Sequence, residues 1–273
     1  MNILVEDKDR GVAIDVVTKG QGPEVVMLAS AMRGAADFAI LQDALDQAGF
    51  RSIAVNMRGA GRSKGPDGDF TLRDIADDVA MVVRQLCVGP AHLVGHALGN
   101  IVARATASYR PDVVRSVTVM PCGGHDLGKY PVTHQVIAAM QRCHDGSLSE
   151  QERRDALSIA FFARGNDPGC WLDGWWPRAT GISAAALSAD AEEWWRAGNV
   201  PMLILQPLED AMSPRQSGLD SKAAFGQRAR YAEIPECGHA ILPEQPERIA
   251  VEVIDFLRVQ GLAAQVGLQD ERG

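Results

Sequence analysis

The chain has 273 residues, 46% of them apolar and 23% charged, with a net charge of −8. This is the profile of a globular protein long enough for one large α/β core with an insertion, and the acidic balance argues against nucleic acid or an anionic membrane as partner. No apolar run approaches the ~20 residues that span a bilayer, and charge sets in at Glu6, too early for a signal peptide.

In chain order, 12–17 and 24–29 read as a first antiparallel strand pair around the turn Lys19-Gly20-Gln21-Gly22-Pro23. Phe38, Leu41 and Leu45 mark a helix over 35–48, closed by Gly49, and 51–55 is the next strand. Thr71 is a candidate N-cap for 72–86, where Ile75, Val79, Val82, Val83 and Leu86 share a face. A short strand (91–94), a small-residue helix (98–109) and further strands (113–120, 201–205, 229–234) follow, and a helix over 246–259 closes the pattern. Strand–helix alternation of this kind predicts a mostly parallel sheet with helices on both faces.

The interval 121–199 breaks the rhythm. It holds helical patterns (132–143, 149–162, 183–196), no strand and all five tryptophans of the chain. We expect a helical lid here, over the carboxyl ends of the strands where open α/β sheets bind ligands. The expected organisation is a core of 1–120 and 200–263, the Trp-rich lid of 121–199, and a frayed tail of 264–273. Some tryptophans form the lid's own core, and others line an apolar pocket.

Five widely spaced cysteines, without a CxxC or a His/Cys group, read as free thiols in a reducing compartment. The expectation is a cytoplasmic protein using neither metal nor cofactor. His125, His134 and His144 have no ligand-like spacing.

"VGHALG", from Val94 to Gly99, places Ala97 between two glycines at a strand-to-helix turn. "NMRGAGRS" begins at Asn56, "LILQPLEDAMSP" contains Asp210, and "IPECGHAILPEQPE" contains His239. Ala29-Ser30-Ala31-Met32 follows the second strand. Together, and in this order, these stretches resemble the α/β-hydrolase fold family over nearly the whole chain. The chain also resembles a bacterial subgroup of the family whose elbow reads GHAFGN-like, with Ala at the nucleophile position, and whose lid carries a segment like "FFARGNDPGCWLDGWWP".

The resemblance implies an α/β-hydrolase fold: a mostly parallel central sheet, helices on both faces, and a helical lid inserted before the late strands. Ala97 stands at the nucleophile position, Asp210 at the triad acid and His239 at the base. The N–H groups of Ala31 and Leu98 would form the oxyanion hole. Ser30 brings a hydroxyl close to where the missing one would be, and Asn56 and Asn100 depart from the family pattern. Met32, His96, Cys122, Trp171, Trp175, Trp176 and Trp194 are candidates for the substrate pocket. Cys122 and Cys237 are thiols near the presumed site, more in keeping with inert packing than with nucleophiles.

Three readings follow. In the first, an enzyme lacking the serine uses His239 and Asp210 as a base pair on a small apolar or aromatic ester, lactone or other carbonyl compound, or in a lyase-type cleavage. In the second, Ala97 is an engineered knockout of a serine esterase or lactonase. In the third, the pocket serves a non-catalytic binder or sensor. The expected partners are a small-molecule substrate and, at most, a second copy of the chain in a homodimer.

Overall fold

The computed structural model describes residues 1–121 and 129–270, with side chains as far as Leu262. Among these, β1 (Asn2–Asp7), β2 (Val12–Lys19), β3 (Glu24–Leu28), β4 (Arg51–Asn56), β5 (Ala91–His96), β6 (Val114–Met120), β7 (Met202–Pro207) and β8 (Ala229–Ile234) form one sheet. The strand order is β1-β2-β4-β3-β5-β6-β7-β8. β1–β2 and β2–β4 are antiparallel, and every pairing from β4–β3 across to β8 is parallel.

Helices supply the crossovers that parallel neighbours require. They are α1 (Ala39–Gln47), α2 (Leu72–Leu86) and α3 (Leu98–Tyr109). Between β6 and β7 the chain inserts α4 (His134–Arg142), α5 (Glu150–Ala160), α6 (Gly181–Ser188) and α7 (Ala191–Trp194). α8 (Arg215–Phe225) links the last two strands, and α9 (Ile241–Glu244) and α10 (Pro246–Asp270) follow β8. One sheet face is covered by α2 and α3, through residues such as Ile75, Val79 and Val102. The other is covered by α1 and α10, through Leu41, Leu45, Ile249 and Val253. α4 and α5 bury a smaller cluster of their own with Trp171, Phe161 and Ala240.

Thr71 is the N-cap of α2, and with Asp74 it closes a full capping box. Three expectations change. First, β2 and β3 do not pair with each other: β2 takes β1 and β4, and β3 lies between β4 and β5. β2 is buried along most of its length and so needs a neighbour on each edge. The N-terminal NILVED, despite its charges, is the strand that supplies one. Second, the helix expected over 183–196 is two helices, because Asp190 accepts from the Glu192 N–H and starts α7 anew. Third, the final helix runs on to Asp270 through the segment expected to fray.

The start of α3 lies so close to β3 that a Cβ on Gly99 would sit 2.0 Å from the Leu28 carbonyl oxygen. Gly99→Ala is therefore expected to lower the unfolding free energy by more than about 3 kcal/mol, because backbone and not a flexible side chain must yield. Urea unfolding measures this, and a loss under about 1 kcal/mol contradicts it.

Candidate active site

The turn from β5 into α3 brings Ala97 to the tip of the sheet with φ +50° and ψ −112°. A residue carrying a Cβ at positive φ is strained by roughly 1–3 kcal/mol and persists only where its surroundings impose it. Here the imposing contacts are backbone ones. A Cβ on Gly95 would meet the Gly99 carbonyl oxygen at 2.4 Å, and Gly99 itself abuts β3. The Ala97 N–H donates to the Met120 carbonyl at 2.6 Å, tying the tip to β6. Asn100 extends that tie, its Nδ2 donating to the Pro121 carbonyl at 2.6 Å and its Oδ1 accepting from Arg104 at 2.6 Å.

The facing loop follows β3. Leu28 pairs with Gly95 in parallel register, so Ser30 and Ala97 each stand two residues beyond the same pair. The Arg33 N–H donates to the Ser30 carbonyl at 3.1 Å, closing a turn through Ala31 and a left-handed Met32 with φ +56°. Among the described residues, neither the Ala31 nor the Leu98 N–H donates to another group. Leu98 opens α3, where helical N–H groups have no intrahelical partner. Ser30 is 4% exposed, and its hydroxyl takes no partner among the described residues.

Asn56 supports this loop from below. Its Oδ1 accepts from the Ala35 N–H at 2.8 Å, and its Nδ2 donates to Asp15 Oδ2 at 3.0 Å. Asp15 is also held by the Arg62 guanidinium and, through its backbone, by Ser63. An aspartate at 56 would set a second carboxylate about 3 Å from the first, so the amide there is a matter of charge balance beside Asp15.

His239 and Asp210 meet. His239 Nδ1 lies 2.9 Å from Asp210 Oδ2, and the aspartate side chain is fully buried. Asp210 Oδ1 accepts from the Met212 N–H at 2.7 Å and the Ser213 N–H at 3.0 Å. Every partner of the carboxylate is a donor, so Nδ1 carries the imidazole proton and Nε2 presents the lone pair.

His96, beside Ala97, is completely buried, and its Nε2 lies 2.8 Å from the His239 carbonyl oxygen. A carbonyl only accepts, so Nε2 bears the hydrogen. Burial, and next the neighbouring His239, push its pKa down to about 3, so the ring is a neutral prop under His239.

An aromatic wall closes on this pair. Phe161 lies 5.9 Å from the His239 ring, and Trp171 lies 6.0 Å from His96 and 5.3 Å from Phe161. The Trp175 Nε1–H donates to the Trp171 carbonyl at 2.6 Å. The Trp176 N–H donates to the Met32 carbonyl at 2.8 Å, joining the insertion to the loop after β3. Between Trp171 and Trp175 sits the Arg33 guanidinium, 4.7 and 4.8 Å from their rings. It is paired with both oxygens of Asp37 and donates to the Asp173 carbonyl at 2.7 Å. Trp194 lies elsewhere, in the sheet core beneath the Arg104 guanidinium, and Trp195 stacks on Phe225. Cys237 is buried, and burial, then the Glu244 carboxylate, raise its thiol pKa, which keeps it from serving as a thiolate nucleophile. Cys122 and His125 lie outside the described residues.

Sequence reasoning missed Arg33, Asp37 and Phe161. The available signal was the Arg33/Asp37 spacing of four directly after the oxyanion loop, which reads as an ordinary surface pair until the tryptophans cover it.

Residues 25–127 match the family model of the alpha/beta hydrolase fold. The chain also superposes on a thermophilic esterase from Thermogutta terrifontis with a TM-score of 0.73, covering 95% of this chain and 99% of that one at 21% identity. The chain has the α/β-hydrolase fold. A bromoperoxidase from Bacillus anthracis has the same fold, with a TM-score of 0.69 at 18% identity over 94% of this chain and 100% of that one. At such identities the likeness carries the fold and not the substrate. A 2-(acetamidomethylene)succinate hydrolase from Mesorhizobium japonicum is 30% identical over 219 residues, which are 80% of this chain and 66% of that relative. Proteins similar to this chain thus include one named as a hydrolase, and those sharing its fold include one named as an esterase and one as a bromoperoxidase.

The depressed His96 pKa has a consequence for stability. From its ordinary value of 6.5 down to about 3, the unfolded chain binds a proton that the folded chain refuses. The stabilisation from a neutral His96 is thus present above pH 6.5 and is lost as the pH falls toward 3. His96→Gln, which keeps a donor for the His239 carbonyl, should flatten the acid limb of unfolding free energy against pH by up to ~1.4 kcal/mol per pH unit. An unchanged slope in urea titrations contradicts this.

Proposed function

We propose that this protein hydrolyses a small apolar or aromatic carbonyl compound, an ester or a lactone, without a covalent intermediate. His239 Nε2 takes a proton from water as the oxygen attacks the carbonyl carbon. The N–H groups of Ala31 and Leu98 receive the negative charge that develops on the carbonyl oxygen. The imidazolium, stabilised by Asp210, returns the proton to the leaving oxygen.

The observation that carries this reading is the Asp210–His239 pair, whose carboxylate accepts from two backbone N–H groups as well as from the imidazole and whose imidazole is left with an open Nε2. A pocket that only binds has no need of a base oriented this way. Positioned acid–base catalysis contributes roughly 10²–10⁴-fold and a single oxyanion donor roughly 10²–10³-fold, so the loss of a serine leaves sizeable terms in place. Ser30 orients the substrate through its unengaged hydroxyl, level with Ala97 across the strand ends. The insertion acts as the lid, and Phe161, Trp171, Trp175 and Trp176 make its substrate-facing wall, which selects an apolar or aromatic group.

Turnover on a panel of aryl esters and lactones tests the reading. The chain as it stands should turn over, His239→Ala should lose at least about 10²-fold in kcat/KM, and Asp210→Asn should lose activity in parallel. Ala97→Ser should add burst kinetics, because the elbow already holds residue 97 where a nucleophile belongs. Activity seen only in Ala97→Ser, with the unaltered chain inert, overturns the proposal.

A further inference from the structure

Glu244 is the last residue of α9 and lies in the stretch PEQPE, to which the reaction above gives no role. Its side chain reaches two parts of the chain far apart in sequence. Oε2 accepts from the Gly238 N–H at 2.9 Å. Oε1 accepts from the Ala163 N–H at 2.7 Å and from Asn166 Nδ2 at 2.7 Å. Gly238 immediately precedes the base, and Ala163 follows Phe161 and Phe162 of the aromatic wall.

The two segments are pressed together around this group. The Ala240 N–H donates to the Phe161 carbonyl at 2.8 Å, and Asn166 Nδ2 also reaches the Glu236 carbonyl at 3.1 Å. A Cβ on Gly238 would lie 2.7 Å from the Ala163 nitrogen, so glycine is needed for the approach. Neighbouring Glu236 is held at φ +52°, a conformation that such contacts must impose.

We propose that Glu244 is the positioning residue of the base: its carboxylate fixes the backbone that carries His239 and, with the same two oxygens, clamps it to the segment that carries Phe161, so that base and aromatic wall move as one body. All three partners of the carboxylate are donors. A proton on either oxygen would turn an acceptor toward a donor and open one side of the clamp. Burial raises the Glu244 pKa, and Asp210, facing it from the loop after β7, raises it further; the three donors oppose this. Cys237, on the His239 loop, also lies within its electrostatic reach, and Glu209 faces the same thiol. The clamp therefore opens on acidification above the ordinary carboxylate range. Its consequence for turnover rests on His239 being the base, but the clamp itself is read without substrate.

Amide hydrogen exchange on the full chain tests it. In Glu244→Gln and Glu244→Ala, the amides of Gly238 and Ala163 should both exchange at least about tenfold faster, while β5 and β6 keep their protection. Should these variants fail to fold, the unaltered chain gives the same answer. After correction for intrinsic rates, protection at both amides should fall with one shared midpoint as the pH is lowered from about 7 to about 4, above the ordinary carboxylate value. Loosening of one amide without the other, or protection at both that is indifferent to Glu244 and to pH, overturns the proposal. Where turnover is measurable, Glu244→Gln should lower kcat with KM little changed. A chain with no turnover but with coupled exchange overturns the hydrolase reading and leaves the clamp standing.

Discussion

The approach of α3 to β3 at Gly99 is the constraint on which the site depends. With no room for a Cβ against the Leu28 carbonyl, the chain leaves β5 in a turn so tight that residue 97 is forced to positive φ. The strain is the same whether a hydroxymethyl or a methyl group sits there, because it resides in the backbone. That turn fixes where the Leu98 N–H points and where α3 begins. Parallel register sets Ser30 level with the tip, and the Ser30–Arg33 turn sets Ala31. The turn at Ala97 therefore keeps its full backbone geometry around a side chain that cannot itself react.

Around this fixed tip the other parts are held by charged or polar props outside the reaction. Asn56 and Asp15 hold the loop after β3 from beneath, Arg33 and Asp37 pin the tryptophan segment above it, and His96 braces the His239 carbonyl. Arg33 and Asp37 are nearly dry, with side-chain exposures of 3% and 6%. A buried pair of this kind is weak evidence for stability and better evidence for a specified geometry. What it specifies here is the position of Trp171 and Trp175 relative to His239.

Much of this was legible in the sequence. The Thr71 N-cap of α2, the two elbow glycines, and the order of Ala97, Asp210 and His239 are local signals, and the structure places each at the strand or helix end where it was expected. The failures were of long-range origin. Pairing of β2 with β3 looked natural because they are adjacent in sequence, yet β3 goes to the middle of the sheet, and only the topology says so. Asn56 looked like a departure in the site, but its reason is a carboxylate forty-one residues away at Asp15. Trp194 and Trp171 are indistinguishable by composition; one faces α3 and the other faces His96.

In the proposed reaction the carbonyl is attacked by water and not by a protein group. Rapid-quench mass measurement of the intact chain during turnover of an aryl ester tests it most directly. The expected result is product released while the protein mass stays that of the unmodified chain at every time point. An acyl-sized mass increase that forms and decays at the rate of turnover, on Ser30 or on any other side chain, would contradict it.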